Sequence, residues 1–198
     1  MTTSPDAPRH GSTSSTPSTP LDVRRATPAD RTLLERLWPL FRHDMSDVSG
    51  ELPGPDGRFR DDRLLAALDD LGRDGDADRD DAVSWRAYLA TTRSRGGEPR
   101  PVAFALVRGL DAPVRVLSAF FVVRPARRSG VGLAFASAVL RDVPGRWEIA
   151  FQDANQAAAR FWPRVARSLA GDSWDVEHRP VPGRPEVPAD AWLRLTVA

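Results

Sequence analysis

The sequence predicts one α/β domain on a mixed, mostly antiparallel sheet flanked by helices, preceded by a disordered tail. Three observations predict it. Hydrophobic periodicity changes along the chain in the order strand, two helices, three strands, helix, strand, helix, two strands. Two of the strands flank a glycine turn, which makes them an antiparallel hairpin. Two others flank a single helix, and a right-handed crossover through that helix makes them parallel neighbours. The chain has 198 residues, 41% of them apolar. A domain of this size buries roughly 70% of the surface its unfolded chain exposes, so a self-sufficient core is expected.

Residues 1–20 hold five Ser, five Thr and four Pro. Such a segment buries too little apolar area to offset the entropy of ordering, and it reads as a disordered tail. The single domain then spans 21–198. Leu21, Val23 and Arg25 alternate with Asp22 and Arg24 as a short strand. Thr27-Pro28-Ala29-Asp30 reads as a helix start, with Pro at the first helical position and a carboxylate at the positive end of the dipole. Leu33, Leu34, Leu37, Leu40 and Phe41 follow at helical spacing, and Pro39 is expected to kink or shorten that helix. Residues 44–57 read as a loop. A second helix carries Leu64, Leu65, Leu68 and Leu71. The hairpin strands run from Val83 to Thr92 and from Pro101 to Leu110, around Arg95-Gly96-Gly97-Glu98. Val114 to Val123 is the third strand of that group, followed by a helix over 131–141. Arg146 to Gln152 is a strand, Asn155 to Ala170 a helix, and Trp174 to Arg179 and Trp192 to Val197 are the last strands.

Composition excludes several chemistries. With 28 basic and 27 acidic residues the formal charge is +1, unlike a basic coat of nucleic acid. There is no cysteine, so no disulfide framework, thiolate nucleophile or Cys-based zinc site exists. Every basic residue is arginine, which excludes Schiff-base and Walker-lysine chemistry. His10, His43 and His178 lie far apart in sequence. Asp74, Asp76, Asp78 and Asp80 have the rhythm of a calcium loop, but Arg79 stands at the turn glycine and Trp85 at the bidentate glutamate. No metal is expected. The apolar run Ala119–Val123 is far short of the ~20 residues that cross a bilayer. No signal peptide or membrane association is expected, and the localisation read from this is cytoplasmic.

The chemistry-bearing stretch is the strand, basic glycine turn and helix of Phe120 to Gly132. A helix that begins near residue 130 leaves its first N–H groups without intrahelical partners. Gly130 and Gly132 let a ligand approach the main chain. The helix dipole and the guanidinium groups of Arg127 and Arg128 favour an anion there. The turn therefore reads as a diphosphate site.

Arg127, Gly130 and Gly132 fit R/Q-x-x-G-x-G/A, and the turn resembles the acetyl-CoA-binding motif of the GNAT (GCN5-related N-acetyltransferase) superfamily. Asn155, Ala158, Phe161 and Trp162 also resemble the family's later N-x-x-A-x-x-(apolar)-(aromatic) helix. The element order from Leu21 to Val197 agrees with the same fold. The resemblance implies a V-shaped splay between the strand ending at Val123 and the strand from Arg146 to Gln152. It implies that pantetheine lies there against main-chain groups of Phe121, Val122 and Val123. The diphosphate would rest on Arg127, Arg128, Ser129, Gly130, Val131 and Gly132. Asn155 and Trp162 would flank the arm, Asn155 having a plain helix cap as its other reading. The implied activity is transfer of acetyl from acetyl-CoA to an amine of a small molecule or protein, by a monomer or homodimer, without nucleic acid as partner. Two alternatives stay open: an acyl-CoA-binding module without turnover, and an arginine-turn nucleic-acid binder.

The catalytic pair is where this sequence departs from the family. Trp162 stands where a tyrosine acid is usual, and Ala119 where a carboxylate is frequent. Tyr88, the one tyrosine, reads as a packed hairpin residue. Glu148 and His43 are the remaining candidates. Glu148 shares a strand face with Ala150 and Gln152, with a structural ion pair as its other reading. His43 is a candidate because imidazole is the side-chain type suited to relaying a proton near neutral pH. Carboxylates Asp44, Asp47, Glu51 and Asp56 of the 44–57 segment are candidates to attract a cationic acceptor.

Overall fold

A computed structural model describes residues 21–73, 84–93 and 97–198. Residues 1–20, residues 74–83 (the Asp74–Asp80 run and Val83, where the first hairpin strand is expected to begin) and residues 94–96, where its turn is expected, lie outside the described residues.

The elements are strands β1 (Leu21–Arg25), β2 (Trp85–Arg93), β3 (Pro99–Arg108), β4 (Val114–Val122), β5 (Gly145–Phe151), β6 (Trp174–Arg179) and β7 (Asp190–Val197), with helices α1 (Arg31–Ser49), α2 (Asp62–Asp69), α3 (Val131–Asp142) and α4 (Gln156–Ala170). One seven-stranded sheet has the order β1-β2-β3-β4-β5-β7-β6. Every pairing is antiparallel except β4 with β5, which are joined through α3. The parallel pair follows from the crossover, since a strand-helix-strand unit returns in the same direction.

Alternation along the strands gives the sheet two apolar faces. On one, Ala103, Ala105, Val107, Leu117, Trp147, Ile149, Leu193 and Leu195 pack beneath α3 and α4 with Phe135, Val139 and Val165. On the other, Ala87, Leu89, Phe104, Leu106, Ala119 and Phe121 pack beneath α1 and α2 with Leu34, Leu37, Trp38, Leu64 and Leu68. Phe104 is fully buried and touches the rings of Trp38, Phe41 and Phe121.

Helix α1 is longer than the sequence predicts. Pro39 lies inside it, and the helix continues to Ser49, where Gly50 takes the left-handed conformation (φ +67°) and donates to Ser46 O at 2.9 Å. A proline in a helix interior costs ~3 kcal/mol. Burial of Leu34, Leu37 and Trp38 before and beside it, and the contacts of Phe41 after it, hold the helix on both sides. His43, Asp44 and Asp47 are therefore helical, and the loop begins only at Gly50.

The start of α1 is tied to the sheet through Asp30. Its carboxylate accepts from both terminal nitrogens of Arg24 on β1 at 2.7 Å and from the Thr27 N–H at 2.8 Å. Those partners lower its pKa to about 2, the Arg24 hydrogen bonds first among the causes. Among the described residues no helix is long and apolar enough to cross a membrane, and no group of His, Asp and Glu is placed to hold a metal ion.

Candidate active site

The site begins with a pairing that stops. β4 and β5 are in register from Val114–Arg146 to Leu117–Ile149, and no pair follows, although β4 runs on to Val122 and β5 to Phe151. On its other side β4 stays paired with β3 up to Ala103–Val122. A wedge therefore opens between β4 and β5 just beyond Leu117 and Ile149. A bulge marks its mouth. Leu106 faces Ala119 while Val107 faces Leu117, which leaves Ser118 as the extra residue. The bulge turns Ala119 toward α1 and α2 while Leu117 stays on the α3 side.

The β4 edge of the wedge differs from the expectation for Phe121, Val122 and Val123. The Val123 N–H donates to Val102 O on β3 at 2.8 Å, so it faces away from the wedge. By alternation Phe121 faces β3 as well, and Phe120 and Val122 present their main-chain groups to the gap. The Val122 carbonyl is occupied by Nε of Arg127, at 2.7 Å.

Beyond β4 the chain makes a 3-10 turn over Arg124–Ala126 and enters α3. Arg128 has φ +64° and Gly130 φ +87°, two left-handed residues in three. Arg128 is the one non-glycine residue with positive φ among the described residues, a conformation costing roughly 1–2 kcal/mol. Left-handed residues reorient the adjoining peptide planes, which suits a turn that leaves its amides open to an anion. Gly130 sits at the N-cap without a side-chain cap, and a Cβ built on it meets nothing within 4 Å. The amides of Arg128, Ser129, Gly130, Val131, Gly132 and Leu133 make no hydrogen bond among the described residues. The Ser129 hydroxyl donates to Ala126 O at 2.9 Å, which braces the turn. A Cβ on Gly132 would come within 3.4 Å of the Phe161 ring, so the small residue lets α3 and α4 close on one another beside the wedge.

Arg127 is not free for an anion in this state. Besides Val122 O it pairs with Asp44 of α1 and lies over the Phe121 ring at 5.6 Å. Arg124 reaches the other Asp44 oxygen at 2.9 Å. Asp44 opposes the cost of its own burial through these two guanidinium groups, and its pKa is lowered. Arg128 is exposed and has no partner among the described residues.

The remaining candidates fall in separate places. His43 lines a small depression with Leu40, Asp44, Phe121, Val123, Arg124 and Pro125, at the turn end of β4. That is roughly 16 Å along the strand from the mouth at Ser118. Glu148 faces the α1–α2 side one residue below the mouth, bound by both terminal nitrogens of Arg179 at 2.7 and 2.9 Å. Those bonds hold its pKa below the usual carboxylate range, which makes it a poor base while the pair stands. Asn155 caps α4, its Oδ1 accepting from Ala158 N–H at 3.0 Å, and its Nδ2 lies 4.0 Å from Met45 Sδ. Trp162 is a core residue, 5% exposed, packed edge-on to Phe120 and Phe161. Its indole forms wall rather than an exposed contact. Tyr88 donates to Asp142 at 2.7 Å on the α3 face, and burial with this bond raises its pKa.

No family model matches the sequence, and no curated protein does. Solved structures do. An acetyltransferase of the GNAT family from Staphylococcus aureus matches with TM-score 0.54 at 11% identity, over 90% of this chain and 100% of that one. Spermidine N-acetyltransferase from Vibrio cholerae, in complex with CoA and spermine, matches with TM-score 0.56 at 9% identity, over 89% and 95%. The acetyl-CoA complex of a proposed streptothricin acetyltransferase from Bacillus anthracis matches with TM-score 0.55 at 11% identity, over 90% and 99%. The fold is that of the GNAT acetyltransferases.

On this fold the chain carries the wedge, the glycine turn and the helix capped by Asn155. Ala119 offers no carboxylate, and Trp162 offers no acid. Sequence reasoning missed three other groups at the mouth: Arg63 on α2, Ser118 on the bulge and Asp190 at the start of β7. Arg63 donates to Ser118 O at 3.3 Å. The clue for Asp190 was the alternation of buried Ala191, Leu193 and Leu195, which puts residues 190, 192 and 194 on the opposite face.

Proposed function

We propose that the protein is an acetyltransferase that moves the acetyl group of acetyl-CoA to an amine. The observation that carries this reading is the wedge beyond Leu117 and Ile149 leading to the six unpartnered amides of 128–133, on a GNAT fold. An extended pantetheine arm suits the wedge because β4 turns the strand-edge groups of Phe120 and the N–H of Val122 to it, the Val122 carbonyl being held by Arg127. A diphosphate suits the turn because its amides and the α3 dipole meet negative charge. Gly130, Arg128 and Ser129 line that end. Arg127 would join them by exchanging Asp44 for phosphate. Asn155 offers its Nδ2 to the arm, and Trp162 supports Phe120 and Phe161 beneath it.

The chemistry is direct. The amine nitrogen attacks the thioester carbon, the C–S bond breaks, and CoA leaves as thiol. An ammonium of pKa near 10.4 must first lose a proton, which at pH 7 costs about 4–5 kcal/mol without a base. Placing amine and thioester in contact supplies much of the remaining advantage. The reading of the turn as a nucleic-acid site loses support because Asp44 pairs with both Arg124 and Arg127 and halves the positive charge they present. A binding module without turnover keeps support from Ala119, Trp162 and the Arg179-bound Glu148.

Calorimetry with acetyl-CoA and an assay of thiol release separate these readings. Tight binding with thiol release on an amine supports the transferase, and binding with no release on any acceptor favours the module. Gly130→Glu places a carboxylate over the amides and should weaken acetyl-CoA binding at least tenfold with the melting curve retained. Unchanged affinity in that variant would overturn the placement of the diphosphate.

A further inference from the structure

The mouth of the wedge holds two opposite charges that the protein leaves unjoined. Arg63, in the first turn of α2, makes only the 3.3 Å bond to Ser118 O and no ion pair among the described residues. Asp190 begins β7 opposite Arg179, and its carboxylate makes neither an ion pair nor a hydrogen bond among the described residues. They act on each other electrostatically, yet no salt bridge joins them. Around them the other charges are matched: Arg42 with Glu51, Arg60 with Asp62, Glu148 with Arg179, and Arg194 with Asp175. Arg108 on β3, one strand from the mouth and in register with Val116, makes no salt bridge among the described residues and acts electrostatically on Glu148. Two polar atoms, Ser118 Oγ and Gln152 Oε1, are buried there with no hydrogen bond. Ser118 stands on the β4 side of the mouth. Gln152 follows Glu148 and Ala150 on the face that Asp190 shares, since Phe151 pairs with Ala191.

We propose that the acceptor is a zwitterion, an amine whose molecule also carries a carboxylate, with Arg63 holding the carboxylate at the mouth of the wedge and Asp190 holding the ammonium. This deepens the transferase reading and rests on it. A guanidinium without a carboxylate partner recognises a carboxylate by two parallel N–H bonds. The Arg63 side chain is open to solvent at the surface of α2; partial desolvation and then the like charges of Arg108, Arg42 and Arg60 lower its pKa, and it is those neighbouring cations that favour an anion here. Burial raises the Asp190 pKa, which makes it a stronger base than an ordinary aspartate. One ammonium proton passes to Asp190, the nitrogen lone pair forms the C–N bond, the C–S bond breaks, and a second nitrogen proton ends on the CoA sulfur. Asp190 then releases its proton to water. Of the four α1–α2 carboxylates that could attract a cationic acceptor, Asp44 and Glu51 are already paired with arginine, which leaves Asp47 and Asp56 as the ones without an ion pair among the described residues. A polyamine would meet Arg63 and Arg108 with no carboxylate of its own.

The test compares matched acceptors on the whole protein. Thiol release from acetyl-CoA is measured with the proteinogenic amino acids and their dipeptides, with their carboxamides, and with simple diamines. Wild type should favour a carboxylate-bearing amine over its carboxamide at least tenfold in kcat/KM. Arg63→Ala should bring that ratio within twofold, mainly through KM, and Arg63→Lys should recover part of it. Arg63→Gln replaces Arg63→Ala if the latter loses the fold, judged by melting. Asp190→Asn should lower kcat for the preferred acid at least tenfold and move the acidic limb of its pH profile. Amides or diamines used as well as acids would overturn the proposal, as would an unchanged ratio in the Arg63 variants. Acetyl-CoA binding with no acid acetylated overturns this proposal alone. Failure to bind acetyl-CoA overturns the transferase reading, and this one with it.

Discussion

The side of the sheet that faces α1 and α2 has two halves. Over β2 to β4 it is apolar: Leu89, Phe104, Leu106 and Phe121 are buried beneath the two helices. Over β5, β7 and β6 the same side carries Glu148, Arg179, Glu177 and Arg194, linked in ion pairs, and Trp192, over whose ring Arg179 lies at 4.9 Å. The wedge runs along the border between the halves. The difference teaches how the site is held. One wall is fixed by apolar burial, which salt and pH scarcely touch. The other is fixed by charge pairs, which both will loosen.

The sharpest way to break the comparison is to empty the apolar half. Phe104→Ala should cost about 3–5 kcal/mol, read from urea melts, because it leaves a cavity among Trp38, Phe41 and Phe121. A loss similar to that of a surface substitution would show that α1 is not anchored there.

Next is the Asp30 clasp at the margin of this half. Its carboxylate pKa is depressed to about 2, so its stabilisation is complete above the ordinary carboxylate range and is lost as pH falls through about 2. Asp30→Asn should cost roughly 1–2 kcal/mol at pH 7, a figure reduced for the partial exposure of Arg24. In thermal melts between pH 5 and pH 2 the variant should lose less stability than the wild type. Parallel losses would refute the clasp.

The charged half should respond less. Glu148→Gln breaks the pair with Arg179 and should cost no more than about 1 kcal/mol, with a smaller difference in high salt. A cost near that of Phe104→Ala would erase the contrast between the halves. The smallest effect is at the turn. Asp44→Asn removes the carboxylate that occupies Arg124 and Arg127. Acetyl-CoA should then bind about threefold more tightly by calorimetry, equivalent to roughly 0.6 kcal/mol. Weaker binding would mean that Asp44 positions the arginines rather than competing for them.

Much of the fold was legible because it is local. Alternation in Val114–Val122 and Gly145–Phe151, and the helical spacing from Val131, mark the crossover that makes the parallel pair. The glycine turn was equally legible, since its backbone needs are written in Gly130 and Gly132. Legibility failed where contacts span the chain. Asp44 meets Arg124 across 80 residues, and nothing near either residue announces the other. Residues 44–49 read as loop but are helical, because burial of Trp38 and the ring contacts of Phe41 on either side of Pro39 outweigh the local cost of proline. Asp190 was hidden in a proline-rich link whose final residue already belongs to a strand. Glu148 was visible as a candidate, but its engagement with Arg179 depends on β6, which reaches it only across β7.

That last arrangement has a consequence for the order of assembly. β7 lies between β5 and β6, so the later-made segment is the inner one and the earlier-made segment waits at the margin. Until residues 190–197 emerge during synthesis, β5 has a bare flank and β6 has nothing to join. Closure of that side is a long-range, late event, and a pause before it would leave sticky strand margins available to other chains.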